Sequence, residues 1–340
     1  MRALLFSTLA VCTLLSAPSQ SFARSGLVLA SWNLEHLAET NGAGCRPRKD
    51  ADYAALKTVA ERLDADIVAL QEVENAAAVA RVFEPSVYAI LVSSRADQAL
   101  GNCRGRRGQA RTAQRTAFAI NRSRLAALHL RWRALPPFRE IGIDGRRWGT
   151  RIMVEPLGDA AGSDRDRLEI VSLHLKSGCA WGGLDVGDVG RAQCLALRHQ
   201  RGLLEEWVDG RAASNTPFAL IGDFNRQLDQ PDDDFWGAIN DGEVCIWRKD
   251  AALGRSCVPG TDVSDPDADL TLANAGVPFA YPYNPKYPYA VDHFVFGGRA
   301  ALWVIRGSYQ AVDYPNDPSL SDHHPIRLEM RMPWASPARP

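Results

Sequence analysis

Ten short apolar runs recur along the chain, and most stop on a polar or acidic residue that cannot be buried cheaply alone. They read LVLASWNL, DIVALQEV, VYAILVSS, RTAFAINR, TRIMVEPL, RLEIVSLHL, PFALIGDF, AVDHFVFG, ALWVIRGSY and PIRLEM. Each is rich in Val, Ile and Leu and is bounded by turn residues, the pattern of buried strands. Two longer segments, DADYAALKTVAERLD and DVGRAQCLALRHQRGLLEEWVDG, carry apolar residues at helical spacing instead. The expected class is therefore strand-dominated α/β, with a few helices covering the strands. The polar residues at the strand ends are Asn33, Glu72, His174, Asp223 with Asn225, Asp292, and the Asp322-His323 pair. Buried carboxylates must pair, hydrogen-bond or bind metal, so these ends are expected to converge at one edge of stacked sheets.

The N-terminus has the layout of a secretory signal peptide: Arg2, an apolar run from Ala3 to Leu15, and Ser21-Phe22-Ala23 as a cleavage signal. That run is well short of the roughly 20 residues a spanning helix needs. Residues 1–23 are thus expected to be removed, leaving one domain over 24–332 and a frayed tail at 333–340. A secreted or periplasmic location follows. Without Cys12 an even set of cysteines remains, which in an exported chain implies disulfides. Several pairings are open; the expected set is Cys45–Cys103, Cys179–Cys194 and Cys245–Cys257. A net charge of -1 excludes a histone-like polycation but not a local basic patch.

Each strand-end residue alone has an ordinary structural explanation: Asn33 and GDFN can satisfy turns, Glu72 can cap a helix, and His174 can be a hydrogen-bonded structural histidine. Their order and wording together resemble the endonuclease/exonuclease/phosphatase superfamily, which includes DNase I-like nucleases, apurinic endonucleases, neutral sphingomyelinases and inositol polyphosphate phosphatases. The resemblance rests on WN, QEV, HLK, GDFN and SDHHP and runs from Val28 to about Met330. It implies a DNase I-like four-layer sandwich, two packed mixed β-sheets flanked by helices, and a Mg²⁺-dependent phosphoester hydrolase, with Mn²⁺ or Ca²⁺ as the other candidate ions.

The resemblance also implies roles. Glu72 matches a metal-binding glutamate, a hard ligand suited to Mg²⁺; Asn33 would help hold metal and phosphate, and Asp322 would sit near the metal. Asp223 would lie by the attacking water and Asn225 would donate to a phosphate oxygen. His323 would be the base or phosphate-stabilising group, oriented by Asp292, and His174 the leaving-group acid. Of the two adjacent histidines, the pattern selects His323 and leaves His324 facing away and replaceable. Arg115 and Lys176 would contact substrate phosphate.

The loops must name the substrate. Arg95, Arg104, Arg106, Arg107, Arg111 and Arg115 crowd one loop that contains a single acidic residue, Asp97. Such a stripe fits a nucleic-acid backbone, and Trp148 and Trp181 are candidates for base stacking. A nuclease acting as a monomer is the leading expectation. The alternative is a sphingomyelinase-type lipid hydrolase, for which the aromatic ANAGVPFAYPYNPKYPYAVDHF would supply the membrane-facing hairpin. A binding or toxin subunit without catalysis is disfavoured because no matched position is substituted.

Overall fold

A computed structural model describes residues 26–96, 100–143, 147–158, 166–184, 191–240, 243–248, 256–264, 268–277, 289–313 and 320–333, without the side chains of 243–248 and 256–264. The expected signal peptide, the tail beyond 333 and most of the aromatic segment before Asp292 lie outside these residues.

The elements follow in chain order as β1 (Leu27–Leu37), α1 (Asp50–Leu63), β2 (Ile67–Val73), α2 (Ala76–Ala80), β3 (Tyr88–Val92), β4 (Arg115–Asn121), α3 (Arg122–Ala127) and β5 (Leu130–Ala134). Next come β6 (Thr150–Pro156), β7 (Leu168–His174), α4 (Ala192–Ser214), β8 (Phe218–Asp223), α5 (Asp234–Ile239), β9 (Glu243–Arg248) and β10 (Ser256–Ser264). The chain closes with β11 (Thr271–Leu272), β12 (Asp292–Gly297), β13 (Gln310–Ala311) and β14 (Ile326–Met330). One six-stranded sheet has the order β13, β14, β1, β2, β4, β3, and the other has β11, β12, β8, β7, β6, β5.

The apolar runs dictate four layers because the central strands are apolar on both faces. Leu27 and Leu29 of β1, with Ile67, Phe118 and Leu328, meet Ile170, Ile221, Phe294 and Phe296 of the second sheet in an inter-sheet core. Val28, Ala30 and Trp32, on the opposite face of β1, pack on Tyr53, Leu56, Val59 and Leu63 of α1. Val171, Leu173 and Leu220 likewise receive Leu197, Leu204 and Val208 of α4. Each large side chain so buried contributes about 1.5–3 kcal/mol relative to exposure. A polar tie crosses the inter-sheet core: Ser31 Oγ donates to Gln71 Oε1 at 3.4 Å, and Gln71 Nε2 donates to Ser172 Oγ at 3.3 Å.

Nine of the ten apolar runs form strands; ALWVIRGSY does not. Gly298–Trp303 instead forms a 3₁₀ turn, entered through Gly298 at φ 57° and ending near a single bridge from Val304 to Met330. Burying Ala300 and Trp303 against the inter-sheet core needs apolar residues whichever backbone carries them. Among the cysteines, Cys45–Cys103 and Cys179–Cys194 are bonded. The side chains of Cys245 and Cys257 lie outside the described residues.

Candidate active site

Register puts three chemical side chains on adjacent strand ends. β7 runs parallel to β8 with His174 beside Asp223, and β12 runs antiparallel to β8 with Asp292 beside the same Asp223. Gly222 permits this spacing: at φ 146° a Cβ there would collide with the Leu173 carbonyl of β7. From the other sheet, a bulge between Asn33 and Leu37 and a left-handed Glu72 at φ 60° break the alternation and turn the Glu72 carboxylate toward the second sheet. His174 Nε2 then lies 3.5 Å from both Glu72 Oε1 and Asp223 Oδ2.

The loop carrying His323 is held by the end of β1. Trp32 Nε1 donates to the His323 carbonyl at 3.1 Å, and Ser321 Oγ donates to the Asn33 carbonyl at 2.7 Å. Arg48, 2 % exposed, donates to the Leu34 carbonyl at 2.9 Å, the Glu35 carbonyl at 3.1 Å and the Leu320 carbonyl. One guanidinium therefore ties the β1 bulge to the segment that delivers His323. The His323 ring faces inward, with Nδ1 2.6 Å from Asp292 Oδ2 and Nε2 3.9 Å from Asp223 Oδ2. The short contact makes Nδ1 the donor and leaves Nε2 for the cluster.

Electrostatics divide the two histidines. Burial and the neighbouring Arg147 charge press His174 well below the usual histidine range, leaving it neutral at pH 7. Burial also acts to lower His323, but Asp292 and Asp223 outweigh it and hold His323 well above that range. Burial pushes Asp223 up to about 7 against the His323 charge, so the Asp223–His323 pair shares protons as a unit. Burial would raise Glu72 as well, yet His174, His36, Arg147 and a Gln114 hydrogen bond hold it at about 2. Glu72 is accordingly a fixed anion.

The expected residues do not all occupy the settings their roles imply. His174, 1 % exposed and neutral, lies beneath Glu72 and Asp223, which is unlike an acid presented to a leaving group. Asn225 reaches Asp223 through a left-handed backbone at φ 52° and an Asx turn, with its N–H on Asp223 Oδ1 at 2.8 Å, and not through strand alternation. Both of its amide hydrogens are engaged, by Asp223 Oδ2 at 2.9 Å and the Leu175 carbonyl at 3.1 Å, so here it orients Asp223 instead of meeting phosphate. Asn33 Nδ2 also donates to Asp223 Oδ2, at 2.9 Å, while its Oδ1 accepts from Glu35 N–H.

Asp322 turns outward, its side chain 62 % exposed and its Oδ1 3.9 Å from His323 Nε2. Arg115 is directed to the carbonyls of Glu74 and Arg95, away from the cluster. Lys176 Nζ donates to the Ser177 carbonyl at 2.8 Å on the wall of a neighbouring cavity. Trp148 is covered by Arg139, and Trp181 stands 51 % exposed. His324 is buried at 4 %, with Nδ1 3.7 Å from Asp313 Oδ1.

Sequence reasoning missed His36, Gln114, Arg48 and Arg147. His36 Nε2 lies 3.7 Å from Glu72 Oε2 and 3.3 Å from Gln114 Nε2, while His36 N–H donates to the same Glu72 oxygen. Arg48 follows the loop proline of CRPRKD, but nothing in that motif announces a residue that ties backbone carbonyls together.

The donor chemistry fits a hard divalent cation. Asp223, Asp292 and His323 offer ligand atoms all within 4.8 Å of one another. The 2.6 Å bond to His323 already engages Asp292, however. The ionised Glu72, aimed with Asp223 at one ring nitrogen, is the better cation anchor.

A two-sheet sandwich with carboxylates and histidines gathered at one edge defines a class of hydrolases acting on phosphoester bonds, generally dependent on divalent metal. The chain belongs to the Endonuclease/Exonuclease/phosphatase family, whose model matches residues 30–323. Among solved structures it is similar to the human Nocturnin catalytic domain with bound sulfate, at 14 % identity and TM-score 0.50 over 90 % of this chain and 94 % of that one. It is also similar to D. rerio TDP2 complexed with single strand DNA product, at 15 % identity and TM-score 0.50 over 90 % of this chain and 99 % of that one. A Bacteroides vulgatus endonuclease/exonuclease/phosphatase matches at 13 % identity and TM-score 0.51 over 91 % of this chain and 100 % of that one. Identities this low establish the fold. No curated protein gives a significant match.

Proposed function

We propose that this protein is an exported, divalent-cation-dependent phosphodiesterase that cleaves nucleic acid. The observation that carries the catalytic reading is the meeting of Glu72, Asp223 and the Asp292–His323 pair at the edge shared by both sheets. Glu72 anchors Mg²⁺ or a similar ion, with Asn33 and Asp322 nearby; the ion would supply charge neutralisation at the phosphate. Asp223, oriented by Asn33 and Asn225, accepts the proton of the attacking water, and a pKa of about 7 suits a base at neutral pH. His323, kept protonated by Asp292, donates from Nε2 to a phosphate oxygen as negative charge grows there. His174 fills the floor between Glu72 and Asp223 and sets their separation.

Nucleic acid is favoured as substrate by the arginines between Arg95 and Arg111, and by the similarity to D. rerio TDP2, whose complex holds a single-stranded DNA product. Export is supported by two disulfides; among the described residues no helix is long and apolar enough to cross a membrane. Purified oxidised protein with Mg²⁺, Mn²⁺ or Ca²⁺, assayed on plasmid DNA, RNA and sphingomyelin in parallel, tests the proposal. Cleavage of DNA or RNA that stops with EDTA is expected. Lipid hydrolysis without nucleic-acid cleavage would overturn the substrate.

A further inference from the structure

A cavity of about 380 Å³ adjoins the catalytic cluster, and its described lining residues include Arg95, Arg104, Arg111, Arg147, Lys176 and Gln114 but no carboxylate. It shares walls with the active site. Gln114 contacts His36 and hydrogen-bonds Glu72, and Arg147 bears electrostatically on both Glu72 and His174. Cationic side chains gathered around one small volume attract an anion. Guanidinium groups in particular fit the paired oxygens of a phosphate.

Its outer wall is built rather than left as a floppy loop. Asn102 bridges Ala110 in antiparallel fashion, Cys103 N–H donates to the Gln109 carbonyl at 2.8 Å, and Arg111 N–H donates to the Gly101 carbonyl at 3.0 Å. This small hairpin is fastened to the 42–45 segment twice. The Cys45–Cys103 disulfide is one fastening, and Gln109 Nε2, donating to the Gly42 and Gly44 carbonyls at 2.9 and 3.0 Å, is the other. Arg104 and Arg111 flank the stapled turn, and Arg111 Nε is a buried donor with no hydrogen-bond partner among the described residues. Such a donor is costly unless a ligand meets it.

Resting on the phosphodiesterase reading above, we infer that this cavity is a subsite for a second phosphate of the substrate, distinct from the phosphate cleaved beside His323. The substrate is then a strand with at least two phosphates. A phospholipid with one zwitterionic head group would leave the arginine wall without its ligand. Arg104 and Arg111 are specificity-determining residues, and the disulfide holds them in place.

The test is fluorescence anisotropy of a fluorescein-labelled single-stranded oligonucleotide in EDTA, comparing wild type with the Arg104→Ala/Arg111→Ala variant. The dissociation constant is expected to rise at least tenfold. The slope of log affinity against log salt should fall by roughly 0.7, one phosphate contact on a single strand. The Arg104→Lys/Arg111→Lys variant should recover only part of the affinity, because charge returns without the guanidinium fork. With Mg²⁺, the loss in kcat/KM on the oligonucleotide should exceed the loss on bis(4-nitrophenyl) phosphate, which has no second phosphate, by at least tenfold. Unchanged oligonucleotide affinity would overturn the subsite, as would equal losses on both substrates. Arginine-dependent binding of phosphatidylglycerol vesicles with no binding of oligonucleotide would overturn it in favour of a membrane surface. Wild type that hydrolyses neither phosphodiester in Mg²⁺ would refute the proposed function instead, and the EDTA measurement would still decide the subsite.

Discussion

His323 Nδ1 lies 2.6 Å from Asp292 Oδ2, while the other ring nitrogen, Nε2, is 3.9 Å from Asp223 Oδ2. Asp292 thereby fixes the tautomer, the direction of Nε2 and the charge of the ring. Replacing Asp292 by Asn removes the charge and keeps the shape. We expect kcat on a phosphodiester substrate to fall by about two orders of magnitude. Since Asp292 raises the His323 pKa and the protonated ring is the active one, the alkaline limb of the kcat–pH profile should also move to lower pH. A kcat–pH profile of the variant measures both effects, and an unmoved alkaline limb would count against the charge assignment.

His293, adjacent in sequence, points the other way and serves the fold. Its Nε2 contacts the Arg226 carbonyl at 2.8 Å and its Nδ1 the Asn274 side-chain amide at 3.0 Å. Burial lowers its pKa from 6.5 to about 4 in spite of the opposing Arg226 and Asp292 interactions. The unfolded chain takes up this proton near pH 6.5 and the folded chain does not, so the stabilisation is complete above 6.5 and is lost as pH falls toward 4. The stability difference between wild type and His293→Gln, from urea denaturation, should shrink by about 3 kcal/mol over that window.

Gly222→Ala tests the strand register that brings His174 beside Asp223. The added methyl meets the Leu173 carbonyl at a backbone angle of φ 146°, so β7 and β8 must separate. A loss of at least about 2 kcal/mol is expected from chemical denaturation. A neutral result would mean that the two strands are not so closely apposed.

The Cys45–Cys103 bond spans 58 residues and fastens the arginine hairpin. Removing it through Cys45→Ala/Cys103→Ala should cost up to about 4 kcal/mol by the chain-entropy argument. It should also raise KM for an oligonucleotide more than it lowers kcat, since the hairpin borders the binding cavity and not the reacting groups. Steady-state kinetics at a temperature where the variant stays folded separates the two.

Much of this site was legible because strand ends announce themselves. A buried apolar run that stops on Glu72, His174, Asp223 or Asp292 must bring its polar group to a partner, and SDHHP selects His323 through the aspartate before it. What the sequence hid depends on broken backbone. Glu35 and His36 adopt φ 41° and 57°, so the alternation that would have sent His36 elsewhere does not hold. Arg48 and Arg115 both donate to carbonyl oxygens, which every residue carries and no motif marks. His324 was expected to tolerate replacement because it turns from the site. Its 4 % exposure makes His324→Ala a change that lowers stability while leaving kcat within a few-fold, to be measured by thermal melting beside kinetics.

The proposed chemistry depends above all on Glu72 as an ionised cation anchor, approaching the same His174 nitrogen as Asp223. Its most direct test is hydrolysis of plasmid DNA by Glu72→Gln across a Mg²⁺ titration, with folding checked by circular dichroism. We expect a folded protein whose kcat/KM is lower by about three orders of magnitude and is only partly restored by high Mg²⁺. A folded variant with wild-type activity at the same Mg²⁺ concentration would contradict it.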